Sequence, residues 1–459
     1  MTQVVNAPMR KQAVPPPPRE PIHGNSDKLL ARFRVLPADL NPPWLKVLRA
    51  SALNKFITQG FPSVKDEEWR FTNIEPILDL ALHAPERPAR KVIEADLKKF
   101  SFGDLNTRRI VFVDGHYAPE LSNASGNGVD VLNMRTALGS PWVERHLARH
   151  ASFENNAFAA LNTALFQDGM FVSIPARRVL ERPIHILHIV TEPQSGAVFQ
   201  PRNLIVAGDG ASAKVIEHYV TLGGRDDRAA SSGEPYLTNA VTELVLGEEA
   251  LVEHCKYQAE SEKAFHIATL QAHQSKASVW TSHSISTGAR LARNSIQTIL
   301  GAPGCNCIMN GLFLGRGDQL VDHHTVMDHA KPNCESHEYY HGILSDRSRG
   351  VFNGKIFVRQ DAQKTNAKQT NRNLLLSDEA VIDTKPQLEI FADDVKCTHG
   401  ATVGQLDEKS LFYLQARGIP KAMARRMLIY AFASEVIERI SLPQIREELD
   451  KLLMERFAA

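Results

Sequence analysis

The feature that most constrains this chain is a long series of short turns through its middle, with no helical pattern between them. From about residue 170 onward, short apolar or alternating segments are separated by turns such as Gly208-Asp209-Gly210, Gly288-Ala289 and Gly315-Arg316-Gly317. The later turns lie about 12 to 17 residues apart, the spacing expected when one or two short strands fill each interval. No amphipathic helix fits between about residues 200 and 400, which argues against βαβ units.

Some 200 residues of consecutive strands must avoid leaving long sheet edges exposed, and only a sandwich, a propeller or a solenoid does this. The blade-length repeat of a propeller is missing. The segment 352–358 alternates apolar residues as one strand, and a further strand begins near Leu388. Asn and Gln recur near the turns, where stacked coils would let them form hydrogen-bonded ladders. The pattern favours a mainly β fold with a parallel β-helix core and leaves a two-sheet sandwich open.

Helical periodicity flanks this series on both sides. An N-terminal helix is predicted from Trp44 to the Gly60-Phe61-Pro62 stop, and C-terminal helices follow Gly404. Ser441-Leu442-Pro443-Gln444 reads as a capping box that opens the last helix. We therefore expect a flexible Pro-rich leader (1–40), a mainly helical region (41–170), a β-helix core (171–405) and a C-terminal helical region (406–459). The tract Pro15–Pro18 in the leader also fits a ligand of a proline-recognising module.

Charge and cysteine content narrow the class of protein. The 53 Lys and Arg nearly balance the 52 Asp and Glu, for a formal charge of +1, which argues against a nucleic acid partner and eases self-association. No apolar stretch approaches the roughly 20 residues of a membrane helix, and the first 20 residues lack the apolar core of a secretory signal. Five cysteines, an odd number, indicate free thiols in a reducing cytoplasm.

The segment His337-Glu338-Tyr339-Tyr340-His341 matches the HExxH motif of zinc proteases, in which both histidines share one helical face. Here Pro332 precedes the segment, Gly342 follows it, and the surroundings resemble strands. On an extended strand the two histidines lie about 13 Å apart at ~3.3 Å per residue, too far to share a metal ion. We expect a strand here and no metalloprotease.

Two further groups could bind a soft metal but have simpler interpretations. The histidine-rich stretch around Cys334 also contains His323, His324 and His329, yet strand alternation places His324 on the face opposite the other two. The Cys305-Asn306-Cys307 segment puts two thiols on one face, although free cysteines usually pack as small buried hydrophobes. The sequence leaves the roles of both groups open.

The segment Asp393 to Gly400, DDVKCTHG, is a stronger candidate. Cys397 and His399 are two residues apart and therefore share one face of an extended strand. A thiolate beside an imidazole is half of a metal site, whose other ligands must come from elsewhere, including another chain. A Cys-His nucleophilic pair and a purely structural pair are the alternatives. There is no GxxxxGK[ST] loop and no GxGxxG after a strand, so any nucleotide energy must come from a partner.

Four segments carry a family resemblance: GFPSVKDEEWRFTNI (60–74), NAFAALNTALFQDG (156–169), 351–407 and LFYLQARGIPKAMARRMLIYAF (411–432). They resemble the SufB/SufD family of the SUF iron–sulfur cluster assembly system, and within it the SufD branch. The resemblance implies a right-handed parallel β-helix between helical regions. It also implies a cytoplasmic scaffold subunit without catalytic activity, which pairs through its β-helix with a SufB-like paralogue.

The resemblance further implies which residues act. His399, with Cys397 beside it, would be a metal ligand at the paired interface, where iron or a cluster is held transiently and none is bound stably by this chain alone. The C-terminal helical region would dock a SufC-like ABC ATPase, which alone binds ATP. The docking residues would be Leu411, Phe412, Tyr413, Arg417, Gly418 and Ile419.

Two other readings of the chain stay open at this stage. One is a β-helix enzyme acting on acidic polysaccharide, with a groove built from the region of Asp322, Asp328 and Lys331. The other is a SufB-like subunit that carries the cluster itself. A homodimer of the isolated chain is also compatible with the sequence.

Overall fold

The computed structural model describes residues 42–86, 90–124, 128–191, 194–222 and 233–457, so the predicted leader lies outside the described residues. The α-helices are α1 Pro43–Gln59, α2 Glu75–Leu78, α3 Glu94–Leu97, α4 Met134–Ala137, α5 Pro141–His146, α6 Ala157–Leu165, α7 Glu408–Ala416, α8 Lys421–Ile437 and α9 Pro443–Arg456. Short strands β1–β7 come first: Arg108–Val113, His116–Tyr117, Asp130–Asn133, Met170–Ile174, Ile184–Val190, Val198–Phe199 and Arg202–Ala207.

The longer strands follow, and the described residues between them contain no helix. They are β8 Ser212–Thr221, β9 Leu237–Leu246, β10 Leu251–Ala259, β11 Phe265–Gln274, β12 Val279–Ser286, β13 Leu291–Leu300, β14 Asn306–Gly315, β15 Leu320–His329, β16 Glu335–Leu344, β17 Arg349–Val358, β18 Asn366–Leu375, β19 Val381–Ile390 and β20 Lys396–Gly404. Most contain ten residues, and each adds one layer to a regular stack.

Successive long strands alternate between two sheets. Sheet I has the order β2-β1-β5-β8-β10-β12-β14-β16-β18-β20, and sheet II the order β19-β17-β15-β13-β11-β9-β7-β4-β3. Neighbouring long strands are parallel and in register. Parallel neighbours separated by one strand in sequence form a coil that stacks on the next, about eight turns in all. The predicted parallel β-helix with helical flanks is confirmed, and the sandwich is excluded.

The space between the two sheets holds apolar columns and a buried polar network. Met309, Phe352 and Ile356 belong to the main apolar cluster. In the middle coils Lys256 Nζ lies 2.7 Å from His266 Nε2, and His266 Nδ1 lies 2.6 Å from Glu260 Oε2. Burial lowers the pKa of Lys256 to about 8. The interior therefore tolerates charge because each buried ion has a partner at hydrogen-bond distance.

Helices cover the outer faces of both sheets. Helices α1 and α6 pack on the early strands of sheet II, where Phe56 and Leu161 meet Val241 and Phe265. Helices α8 and α9 pack on sheet I, where Ala433 and other residues of α8 join an outer cluster with sheet I residues. The region predicted as mainly helical also supplies β1 to β4, which extend both sheets.

The last helix does not begin with the predicted capping box. Helix α9 starts at Pro443 with Leu442 as its N-cap, and no side chain caps it. Ser441 instead donates its backbone N–H to Glu253 Oε1 at 2.9 Å and its hydroxyl to the same carboxylate. The capping prediction was wrong because a carboxylate on the solenoid competes for this serine. Among the described residues, no helix has both the length and the apolar character needed to cross a membrane.

Candidate functional site: the open end of the solenoid

The C-terminal end of the solenoid is formed by the last strands of the two sheets, β19 and β20, which we call the open end. Among the described residues neither strand has a neighbour on its outer side. Most of β20 is exposed, and most of β19 is half-buried. Edge strands present backbone donors and acceptors that can pair with another chain. The open end is therefore a surface on which a further strand can be added.

Backbone direction shows which groups face outward. Lys396 N donates to Thr365 O in the coil below, and Val381 N donates to Ser348 O. Because alternate residues of a parallel strand bond to opposite neighbours, residues 397, 399, 401 and 403 of β20 aim their N–H groups at the open edge. On β19 the residues that face the open edge include 382, 384 and 386, and residue 386 is proline. Pro386 removes one donor from the edge of β19, so β20 offers the more continuous edge.

The two predicted ligand residues lie on β20. Cys397 is in register with Ala367, and His399 with Gln369. Both partners are buried and face the interior, so Cys397 and His399 project over the interior of the last coil. His399 is exposed, whereas Cys397 is half-buried against the main core. Burial raises the pKa of the Cys397 thiol, which favours its protonated form.

A buried polar column lies beneath His399. Gln369 donates from Nε2 to Glu338 Oε2 at 2.7 Å, and these two residues are register partners. Burial raises the pKa of Glu338 to about 7. A Cβ on Gly354, in the opposite sheet, would lie 2.2 Å from Gln369 Nε2, so only glycine leaves room for this amide.

His399 and Cys397 supply two donors of the kind that iron and zinc accept. Within the described ranges, no three His, Cys, Asp or Glu side chains are grouped so as to hold a metal ion. The chain thus presents two potential donors at a strand edge, and a metal ion bound there would need further ligands. Sequence reasoning identified the two donors, the exposed His399 and the half-buried Cys397, but missed Gln369, Glu338 and Pro386. A proline within an otherwise regular strand was the available signal for an edge strand.

The predicted docking residues lie at the other exposed surface, on α7 and the turn after it. No residue of α7 is buried, and Phe412 and Tyr413 are 73% and 57% exposed. Arg417 lies over the Tyr413 ring at 4.6 Å. Gly418 has φ 85° in the turn to α8, a conformation that favours glycine. We call Leu411, Phe412, Tyr413, Met423 and Met427 the helical hairpin surface.

Helix α8 ties this surface to the late coils of sheet I. Arg372 of β18 pairs with Glu435 at 2.6 Å, and Arg425 donates to Leu376 O at 2.9 Å. His341 Nδ1 lies 3.0 Å from Phe432 O, and its ring stacks on Phe432 at 4.6 Å. Because β18 is the neighbour of β20, the contacts of α8 reach the coil directly beneath the open end.

The HExxH segment forms strand β16, as predicted. Glu338 faces the interior, whereas His337 and His341 lie on the opposite face of the strand. His323 and His329 point inward and His324 outward, so the histidine-rich stretch divides between two faces. His323 Nε2 lies 3.1 Å from Ser284 Oγ, and His329 Nε2 lies 2.8 Å from Ser336 Oγ. These histidines have structural partners and form no joint centre.

The acidic groups of the polysaccharide-enzyme alternative are occupied in ion pairs. Asp322 is fully buried between Arg293 and His324 and accepts from Thr72. Burial acts to raise the pKa of Asp322, but the charges of Arg293 and His324, together with hydrogen bonds from His324 and Thr72, outweigh it and hold that pKa well below its usual range. Asp328 pairs with Arg359 at 2.6 Å. Asp322 thus pairs with Arg293 and accepts a hydrogen bond from Thr72, which holds the 60–74 segment on sheet II. This structural role explains Asp322 without substrate chemistry.

Comparison with known proteins adds an independent result. The family model for the SUF system FeS cluster assembly SufBD core domain matches residues 188–432, and the model for the SufBD protein N-terminal region matches residues 28–186. Together the two matches cover the solenoid, the N-terminal region and α7 with most of α8. The core match alone spans more than half of the chain.

Curated relatives match over nearly the whole length. An iron–sulfur cluster assembly SufBD family protein of Synechocystis is 33% identical over 93% of this chain and 91% of its own. The iron–sulfur cluster assembly protein SufD of Escherichia coli is 32% identical over 84% and 87%, and that of Bacillus subtilis is 28% identical over 89% and 93%. The chain therefore belongs to the SufBD family of SUF-system iron–sulfur cluster assembly proteins.

Proposed function

We propose that this chain is a non-catalytic scaffold subunit of a cytoplasmic SUF assembly complex, pairing with a SufB-like paralogue through the open end. The observation that carries the proposal is a contrast between the two ends of the solenoid. In the part of the chain that the structure describes, β20 has no outer neighbour, whereas the opposite end is finished by antiparallel strands. The relatives are named as iron–sulfur cluster assembly proteins, and a subunit interface is where a partial site on one chain can be completed.

Pairing would satisfy the backbone of β20. A strand from the partner would take hydrogen bonds from the outward N–H groups of residues 397, 399, 401 and 403. The same strand would cover the interior of the last coil. Burial of the half-buried apolar residues Leu388 and Val395 adds apolar area, which stabilises association by about 25 cal/mol per Å². A homodimer through the same edge is the expected default when the paralogue is missing.

His399 and Cys397 would act as ligands to the iron or cluster that is assembled, which is cargo and not a resident cofactor. His399 reaches solvent at the seam, and Cys397 lies one alternate position away on the same face. The partner supplies the remaining ligands. The buried Gln369–Glu338 pair beneath His399 limits how far that side chain can sink into the interior.

The helical hairpin surface would dock a SufC-like ABC ATPase, which would carry out all ATP hydrolysis. Exposed aromatic residues such as Phe412 and Tyr413 are typical anchors of protein interfaces. Movement of the ATPase would reach the open end through α8 and the Arg372–Glu435 pair on β18. This path links ATP hydrolysis on one partner to ligand geometry on the other.

The experiment is co-purification of the chain with both partners, followed by reconstitution with His399→Ala. We expect an intact complex whose iron and cluster content falls at least about fivefold, because one ligand is lost from an exposed position. Thr398→Ala is the matched control, since Thr398 is the exposed neighbour on the opposite face. Normal cluster maturation in His399→Ala would contradict the ligand role, and failure to capture either partner would contradict the scaffold role.

A further inference from the structure

Four of the five cysteines lie along one corner of the solenoid, where a turn leads into sheet I. Cys305 and Cys334 immediately precede β14 and β16, and Cys307 and Cys397 are the second residues of β14 and β20. Asn306 is in register with Glu335, and Glu335 N donates to Cys305 O at 2.9 Å. Cys305 and Cys334 therefore occupy the same position in consecutive coils.

The two thiols share one acceptor. Cys305 Sγ lies 3.0 Å and Cys334 Sγ 3.3 Å from the carbonyl oxygen of Ala302. Cys305 Sγ also lies 3.1 Å from Ser275 O. Neighbouring strands are ~4.8 Å apart, which is within the ~4.4–6.8 Å between Cα atoms that a disulfide requires. The coil spacing thus permits a disulfide between the two Cα positions, and the shared acceptor places both sulfur atoms on the same side of the turn.

The environments of the two sulfurs differ in the way that thiol oxidation requires. A hydrogen bond from the Cys334 thiol is the main cause that lowers the pKa of Cys305 to about 7. The same contact raises the pKa of Cys334. By contrast, burial raises the pKa values of Cys307 and Cys255. Only Cys305 carries a substantial thiolate fraction near neutral pH, and thiolate is the nucleophilic form.

Access comes through the turn that covers the pair. Both cysteines are buried, but the residues directly before Cys305, Pro303 and Gly304, are exposed. Gly304 has φ 77°. Its N–H donates a long hydrogen bond, 3.3 Å, to Pro332 O in the turn of the next coil. A single surface turn therefore separates the thiols from solvent, so a reagent of the size of water needs only local opening to reach them.

We infer that Cys305 and Cys334 form a reversible dithiol–disulfide couple that hydrogen peroxide oxidises. The Cys305 thiolate attacks one peroxide oxygen, the O–O bond breaks, hydroxide leaves, and Cys305 becomes a sulfenic acid. The Cys334 sulfur then attacks the Cys305 sulfur, an S–S bond forms, and the sulfenic hydroxyl leaves as water with the Cys334 proton. Two sulfurs are oxidised by one electron each, and one peroxide is reduced to two waters.

Cys397 should take no part in this exchange. Between its strand and Cys334 lies β18, which places Thr365 and Ala367 at the corresponding positions. The disulfide would join two neighbouring coils while leaving the open end free. The couple is thus a modification site distinct from the proposed ligand pair, and its test does not depend on the proposed function.

The test uses the reduced full-length protein, treated with hydrogen peroxide and then alkylated with N-ethylmaleimide in denaturant before peptide mass mapping. We expect one crosslinked peptide pair joining Cys305 to Cys334, which dithiothreitol restores to two alkylated peptides. The oxidation rate should rise about tenfold from pH 6 to pH 8, following the thiolate fraction of Cys305. Cys334→Ser should leave a sulfenic acid on Cys305 that dimedone traps.

Cys307→Ser is the matched control, because Cys307 is buried two residues away and should not change the crosslink yield. Cys305→Ser should abolish both the crosslink and any dimedone adduct at Cys334, and circular dichroism checks that it folds. Mapping of the unsubstituted protein is decisive even if that variant unfolds. Full alkylation of Cys305 and Cys334 after peroxide, or crosslinks that form only in the unfolded chain, would overturn the inference.

Discussion

The two ends of the solenoid are finished in different ways. At the N-terminal end the sheets close with β2 and β3, short strands that pair antiparallel with β1 and β4, and α6 is buried along its length against sheet II. At the C-terminal end β19 and β20 are full-length strands that follow the parallel register to the last residue, and no described element covers them. In the described residues, the chain's own antiparallel strands therefore finish one end, whereas the other end presents an edge strand to which a further strand can pair.

This difference teaches where function can reside in a repetitive fold. Interior coils are fixed by neighbours on both sides, so a polar residue there must be satisfied within the chain. Residues of β20 have a neighbour on one side only, and the groups they present on the other side are available to a partner. The contrast between Gln369, which is bonded to Glu338, and the exposed His399 directly above it illustrates this rule.

The largest effect should come from blocking the open edge itself. Ala401→Pro removes an N–H that points away from β18, so no internal hydrogen bond is lost, as at the natural Pro386 in β19. We expect association with the SufB-like partner to weaken about 100-fold, because proline removes one edge donor and hinders strand addition. Analytical ultracentrifugation of the mixed proteins measures the association constant.

Ala401→Ser is the control, since it retains the N–H and should bind normally. The thermal midpoint of the isolated Ala401→Pro chain should stay within about 2 °C of the unsubstituted protein. Undiminished partner binding by the proline variant would show that strand addition at β20 is not the mode of pairing.

A smaller effect is expected at the helical hairpin surface. Phe412→Asp should weaken binding of the SufC-like ATPase at least about tenfold, because an exposed aromatic anchor is replaced by a charge. Val47→Asp is the matched control. Val47 is similarly exposed, at 72%, but it lies on α1 and outside the helical hairpin surface. Surface plasmon resonance with immobilised ATPase compares the affinities of the two variants. An equal loss of affinity in both would argue against a specific docking site.

The smallest expected effect is on the pH dependence of the free energy of unfolding. It compares the buried carboxyl groups of Glu338 and Glu217. Burial raises the folded-state pKa of Glu338 from 4.5 to about 7, so the contribution of this group to stability is greatest below pH 4.5 and is lost as pH rises through 7. Glu338→Gln should remove about 2 kcal/mol of the decline between pH 5.5 and 7.5. Urea unfolding at several pH values measures it, and an unchanged pH slope would show that Glu338 is ionised in the folded chain.

Glu217, in the middle coils, provides the opposite case. Burial opposes its ionisation, but contacts with His254 and other partners outweigh burial and lower its pKa to about 2. Its contribution is therefore present above pH 4.5 and lost as pH falls through 2. Glu217→Gln should lower stability at pH 7, where Glu338→Gln raises it.

The fold was predictable because a repeated turn interval is a local signal. Turn residues, strand alternation and the missing helical period together indicated stacked coils, and the helix stop at Gly60 agreed with the end of α1 at Gln59. Cys397 and His399 could be paired because residues two apart on a strand share a face. The same logic assigned the HExxH segment to a strand and His324 to the face opposite His323.

The contacts that could not be predicted depend on register between coils. Cys305 meets Cys334, and Glu338 meets Gln369, because each pair is one full coil apart, and coil lengths vary along the chain. Asn371 and Asn373 were expected to join amide ladders, but Asn371 donates to Tyr340 O and Asn373 to Asn371 Oδ1. Ladders need like residues in register, and the columns here contain unlike residues.

The claim on which the account rests is that a second polypeptide occupies the edge of β20. Hydrogen–deuterium exchange of the chain alone and in complex with its SufB-like partner tests it most directly. We predict that the amides of residues 397, 399, 401 and 403 exchange at least about tenfold more slowly in the complex, while those of β2 and β3 do not change. Unaltered exchange along β20 in a complex that demonstrably forms would contradict the account.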